Sequence, residues 1–245
     1  MPKAETEPGV YKDKYSRGGE NFKHRRPMTD SPVQAFEQAI SIERFGRYVA
    51  WAGGDRDRAI ALYTLNTQLS ECLYTPLQML EVALRNRIHA VLTAAANEQW
   101  FDLPEYQKGS RQAEQLAKAK EDLAEDRKAA SPSRIVAALT FGYWTSFLGH
   151  EYEDIWQRTL RRVARKADGK GLRRKDFSAP LTPIRVLRNR IAHHEPILHW
   201  NLPKHYGNMV QLTEWLSPPA AAWCRLHGRF GAVYPADGVR QITHE

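Results

Sequence analysis

The residues best suited to chemistry in this chain sit in one string, Leu187-Arg188-Asn189-Arg190-Ile191-Ala192-His193-His194-Glu195-Pro196. An arginine fork grips phosphate oxygens, an amide orients a neighbour, and an imidazole moves a proton near neutral pH. Together these types suit a phosphodiester. The spacing supports the grouping. On a helix, Asn189 and His193 are four apart and share a face, so the Asn189 amide is placed to fix the imidazole tautomer. Arg188 lies about 100° around the axis from Asn189, and its long side chain still reaches a ligand held by the other two. A helix C-terminus also favours cationic groups, by ~0.3–1 kcal/mol.

The elements that must position these groups can be read outward from the string. Thr182-Pro183 reads as a cap followed by a first helical residue, and Pro196 turns Glu195 away from helical angles. The spacing predicts a short helix whose last turn carries His193 and His194. An earlier segment, Leu84-Arg85-Asn86-Arg87-Ile88, is identical to Leu187-Arg188-Asn189-Arg190-Ile191, and Thr75-Pro76 precedes it as Thr182-Pro183 precedes the second. Thr75-Pro76 is read as restarting or kinking its helix. Leu77, Leu80, Leu84, Ile88 and Val91 form an apolar stripe there, with Glu81, Arg85 and His89 beside it at four-residue spacing. Glu81 before Arg85 is the favourable order for a helical ion pair worth ~0.2–0.5 kcal/mol, so a plain salt-bridged flank is the simpler reading of that face.

Composition narrows the partners. A chain of 245 residues with 42% hydrophobic content can bury a proper core as a soluble globular protein. Its net charge of +8 and pI of about 9.5 favour an anionic partner, nucleic acid before a membrane surface, unless the basic surface serves only solubility. Cys72 and Cys224 match no zinc or disulfide spacing and read as buried thiols. No apolar run approaches the ~20 residues that span a bilayer, and the polar N-terminus does not read as a signal peptide. A cytoplasmic protein without a metal or cofactor is the expectation.

Along the chain, residues 1–30 are polar, with Lys23-His24-Arg25-Arg26, and read as a disordered basic arm. Residues 31–235 read as one helical domain, and 236–245 as a frayed tail. No stretch alternates with period two, so the fold is expected to be all-α. Asn66 falls on the inner face of a long helix and reads as a satisfied core amide. Residues 111–130, sparse in apolar side chains, read as an exposed helix outside the core. The aromatic block Phe141, Tyr143, Trp144, Phe147, Tyr152 and Trp156 reads as core in preference to base-stacking, because no cations interleave it. Arg161, Arg162, Arg165, Lys166, Arg173 and Arg174 form a basic run just before the motif. It is either an RNA-backbone track or a solvated charge run. A metal site built from His193, His194, His199, His205 and Glu195 is disfavoured, since Pro196 and Pro203 break any shared helical face.

Arg188-Asn189-x-x-x-His193 resembles the R-x(4–6)-H motif of HEPN ribonucleases, and the continuation through His194-Glu195-Pro196 is similar to the Abi-like, abortive-infection branch. The earlier Glu81, Arg85 and Asn86, and the order of the aromatic blocks, resemble the same branch over roughly residues 33–230. The resemblance implies an all-α, HEPN-like bundle with additional helices, in which the two Arg-Asn helices pack side by side. It implies a homodimer with two motifs facing a cleft, and metal-independent RNA cleavage by a ribose 2′-OH. In that scheme Arg188 stabilises the transition state, His193 is the acid or base and Asn189 orients the site. Glu81, Arg85, Asn86, His194 and Glu195 are auxiliary. A role in phage defence as a toxin leaves room for an antitoxin or regulatory RNA partner. HEPN-like domains also serve as non-catalytic RNA- or partner-binding modules, and that alternative stays open.

Overall fold

The computed structural model describes residues 32–239; the basic arm over 1–30 lies outside them, as do residues 240–245 of the tail. The described residues are all-α, as their periodicity requires. An isolated antiparallel bridge, Arg165 to Gly171, is the sole strand-like pairing among them. The helices are α1 (Pro32–Ile40), α2 (Ile42–Trp51), α3 (Arg56–Ala95), α4 (Ser110–Glu125), α5 (Pro132–Ala138), α6 (Phe141–Ser146), α7 (Glu153–Arg158), α8 (Arg174–Ala192), α9 (Leu202–Leu216), α10 (Pro218–His227) and α11 (Phe230–Val233).

Two helices carry the paired arginine strings, and both are longer than the sequence suggests. Asp55 starts α3, its carboxylate accepting from Arg58 N–H at 3.0 Å. The helix then continues for 40 residues straight through Pro76. Proline there costs about 3 kcal/mol, chiefly the lost bond to the carbonyl four residues back. Leu69, Leu73, Leu77, Leu80, Leu84 and Ile88 are all buried along one side of that proline and beyond it. At ~1.5–3 kcal/mol per buried side chain, the stripe outweighs the break. The same balance holds in α8. Thr182-Pro183 does not start this helix: α8 begins at Arg174 and contains both Pro180 and Pro183. Phe177, Leu181, Ile184 and Leu187 form its buried stripe, with both prolines off that stripe.

Helix α9 is packed on by α3, α8 and α10. Helices α3 and α8 each pack closely on α9 and meet one another mainly through side chains across a groove. They line two walls of an opening, where direct side-by-side packing was expected. Asn66, buried on α3, accepts from the backbone N–H of Ile197 at 2.8 Å and so pins the segment that follows the motif.

The aromatic block is core. Trp100, Trp144, Phe147, Tyr143, Tyr152 and Trp156 are buried, and Trp100 packs against Trp144 and Phe147 at centroid separations of 6.1 and 5.6 Å. Helix α4 departs from its expected exposure. Gln112, Leu116, Ala119 and Leu123 make a buried stripe at helical spacing, so one face joins the core and only the opposite face is solvated. At the other end, Trp223 and Leu226 of α10 are exposed to solvent. Val239, near the limit of the described residues, is buried.

Candidate functional site

The repeated string does the same three jobs in both helices. Leu84 and Leu187 are fully buried and anchor their helices. Arg85 and Arg188 both line the groove between α3 and α8, a space of about 260 Å³ shared with Tyr74, Glu81, Val82 and Ile191. Arg87 and Arg190 turn away and clamp backbone carbonyls. Arg87 donates to Val163 O at 3.1 Å and Arg162 O at 3.0 Å. Arg190 donates to Pro196 O through Nε at 3.3 Å and Nη2 at 3.1 Å, and its guanidinium lies over the Trp200 ring. The two clamps escaped the sequence reading. The signal was present, since an identical string is expected to repeat its contacts as well as its candidate chemistry.

Glu81 sits between the two groove arginines. The i,i+4 pair with Arg85 expected from spacing is absent among the described residues. Arg188 Nε instead lies 3.8 Å from Glu81 Oε2, and Arg85 donates to its neighbour Asn86 Oδ1 at 3.3 Å. Burial raises the Glu81 carboxyl above its ordinary range, while Arg188 and then Arg85 pull it back down. Two guanidiniums around one half-buried carboxyl leave the groove cationic, which suits a phosphate. His89, the third member of that flank, is structural. Trp100 Nε1–H, which can only donate, bonds His89 Nδ1 at 3.0 Å, and burial holds the imidazole below its usual range.

The end of α8 separates the two histidines. His193 is the C-cap, with near-helical angles and its N–H on Asn189 O at 2.9 Å. His194 follows in the left-handed region at φ +56°. His194 N–H bonds Ile191 O at 3.1 Å and Glu195 N–H bonds Arg190 O at 2.8 Å. This is a Schellman closure with a histidine where glycine is usual. Asn189 and His193 are both exposed, and no hydrogen bond joins their side chains among the described residues. The turn carries His194 into a separate depression of about 400 Å³ with Arg44 and Arg47 of α2, Glu43 and Glu195. Glu195 itself is held by Arg190 Nη1 at 3.1 Å. Arg44 and Arg47 were not singled out from sequence, although their i,i+3 spacing on an amphipathic helix puts them on one face.

The basic run divides. Arg161, Arg162, Arg165 and Arg173 line one concavity of about 580 Å³ beside Trp156 and Leu172. Arg173 is partly neutralised by Asp176, at 2.7 Å. Lys166 lies in the turn closed by the Arg165–Gly171 bridge, its N–H on Lys170 O at 3.1 Å. Arg174 is different. Its side chain is 8% exposed, donating to Glu153 Oε2 at 2.6 Å and to Leu148 O at 2.6 Å. A guanidinium so engaged holds α8 against α7 and the α6–α7 connection; it is not available to an RNA backbone. Among the described residues, no three His, Cys, Asp or Glu side chains converge as a metal site requires.

Comparison with curated proteins and with solved structures returns no match. A family model described as "Abi-like protein" matches residues 33–201. That span contains both arginine strings, the buried aromatic block, the basic concavity and the closing turn of α8. The chain belongs to the Abi-like protein family.

Proposed function

We propose that this chain is a metal-independent endoribonuclease of the HEPN type, acting in abortive infection as a homodimer on RNA. The observation that supports this most is the convergence of Arg85 and Arg188 on one groove around Glu81, with Arg188 on the same helix whose closing turn carries His193 and His194. In the proposed reaction a ribose 2′-OH loses its proton to a base and attacks the adjacent phosphorus. The 5′-oxygen leaves with a proton from an acid, and a 2′,3′-cyclic phosphate remains. Arg188 stabilises charge on the phosphoryl oxygens, and His193 moves one of the protons. One copy of the motif assigns a single imidazole, that of His193, to two proton transfers, so a second copy across a cleft completes the set. The basic concavity of Arg161, Arg162 and Arg165 would hold the strand by its phosphates.

The test is cleavage of total cellular RNA by purified protein in EDTA, with mapping of the ends. Cyclic-phosphate ends that vanish in R188A and H193A support the reading. H194A should hurt less, and 2′-deoxy substrates should stay whole. Cleavage of DNA at a comparable rate, or activity lost on chelation, overturns it. Light scattering at micromolar concentration should give a dimer. One observation favours the non-catalytic alternative. Asn189 and His193 are exposed and unjoined, and His194 lines a separate depression, so the imidazoles are not preassembled with Arg188 in a single copy. RNA binding without cleavage at any protein concentration would establish that alternative.

A further inference from the structure

A second site lies on the opposite half of α8, between α4, α6 and the stretch of α8 that holds Pro180 and Pro183. It encloses about 390 Å³. Arg111 and Arg185 enter it from two sides, and neither has a carboxylate within ion-pair distance among the described residues. Leu148 and Leu181 give it an apolar floor. Glu151 lines the same space, and among the described residues its carboxylate meets the exposed His150 Nδ1 at 3.1 Å and no Lys or Arg within ion-pair distance.

Gln112 also lines this pocket, is 4% exposed, and has one amide atom buried without a partner. Its other amide atom meets the Tyr152 hydroxyl. That hydroxyl also meets Lys108 N–H at 3.0 Å and Tyr106 O at 3.0 Å. A backbone N–H can only donate and a carbonyl can only accept. The single hydroxyl proton therefore goes to Tyr106 O, and the oxygen must accept from both Lys108 and Gln112. The Gln112 NH2 then faces Tyr152, and its carbonyl oxygen is the unpartnered atom, reversing the nominal amide orientation. A buried acceptor left alone is destabilising, and a ligand donor would relieve it.

We propose that this pocket binds a mononucleotide-like ligand. Its phosphate would pair with Arg111 and Arg185, a sugar hydroxyl would donate to Glu151, and a ring or exocyclic N–H would donate to the Gln112 carbonyl. Inorganic phosphate satisfies only the first of these, and a bare nucleoside only the last two. The inference does not rest on the nuclease reading, because its readout is binding.

The experiment is calorimetric titration of the full chain with AMP, GMP, CMP and UMP, with adenosine and inorganic phosphate as controls. A 5′-phosphorylated RNA dinucleotide distinguishes a free nucleotide from an RNA end carrying the same chemistry. At least one monophosphate, free or at the RNA end, should bind at least tenfold more tightly than adenosine and phosphate. R111Q/R185Q should weaken it at least tenfold with the melting temperature unchanged. Gln112→Met, which removes the acceptor at nearly the same side-chain length, should weaken the same ligand. If Gln112→Met does not fold, the arginine pair alone decides. No heat with any monophosphate at millimolar concentration overturns the proposal, as does binding that is indifferent to R111Q/R185Q or matched by phosphate alone.

Discussion

Replacing Arg188 with alanine perturbs stability and chemistry together, and Glu81 provides the means to separate them. Arg188 Nε is 3.8 Å from Glu81 Oε2, with side chains 40% and 27% exposed. Two unit charges at that range attract by roughly 4 kcal/mol at an effective dielectric of about 20. Screening at a partly exposed site reduces this to about 1 kcal/mol, the upper end for surface pairs. Burial already lifts the Glu81 carboxyl, and Arg188 is the larger of the two charges opposing that lift, so R188A raises the carboxyl further. A carboxyl whose folded value exceeds its ordinary 4.5 holds its proton more tightly in the folded state. Its contribution favours folding at low pH and is lost as pH rises through the folded value. Urea unfolding of R188A should therefore show a loss of about 1 kcal/mol near neutral pH and much less at pH close to the ordinary carboxylate value. E81Q/R188A should recover most of the loss at neutral pH, since glutamine needs no counter-charge. Cleavage should behave otherwise: R188A lowers the rate by roughly 10²–10³, and adding E81Q does not restore it. A pH-independent loss of stability refutes the ion-pair reasoning. Recovery of cleavage in the double variant refutes a direct role for Arg188 on the phosphate.

Other outcomes follow from single contacts. Asn66→Ala leaves the buried Ile197 N–H without its acceptor and should cost about 1–3 kcal/mol, lowering Tm by several degrees in a thermal melt. His194→Gly relieves a left-handed non-glycine residue and should raise stability by up to about 1 kcal/mol, less the entropy glycine adds to the unfolded chain; His194→Ala should bring no gain. R161A/R162A/R165A should weaken RNA binding and flatten its salt dependence, by ~0.7 in log-log slope per lost phosphate contact on a single strand. R174A should instead lose about 1.5–3 kcal/mol of stability with the salt slope unchanged. A matching slope change in R174A would contradict its assignment as a buried clamp.

The helical class, the buried aromatic block and the role of Asn66 were legible because each depends on local period or side-chain type. The continuous runs of α3 and α8 were not. Pro76, Pro180 and Pro183 carry a local signal to break, and the stripes that overrule it are stabilised by α9 and α6, elements distant in sequence. Arg174 looked like its neighbours because charge is visible in sequence and burial is not. What removes it from solvent, Glu153 and the Leu148 carbonyl, lies 21 and 26 residues upstream. The division between His193 and His194 depends on one backbone residue entering the left-handed region, and no pattern of residue types marks that position when glycine is absent. Pairing of Arg85 with Arg188 in one groove was foreshadowed by the repeated string, but the partner of Glu81 was misassigned, because Arg85 is nearer in sequence and Arg188 is nearer in space.

The hydrogen bond from Ile197 to Asn66 joins residues 131 positions apart. It has a consequence for the order of assembly. As the chain leaves a ribosome, α3 emerges early with one wall of the groove, and its Arg85 and Glu81 stay half a site. The opposite wall and the turn with both histidines arrive about a hundred residues later, and the N–H that docks on Asn66 follows them. Closing so long a loop is an entropic barrier that only native packing on α9 rewards. A nascent chain stalled before Ile197 therefore holds both arginine strings yet lacks α9, on which both walls of the groove pack. Whatever the groove does begins only after nearly all of the domain has been synthesised and folded.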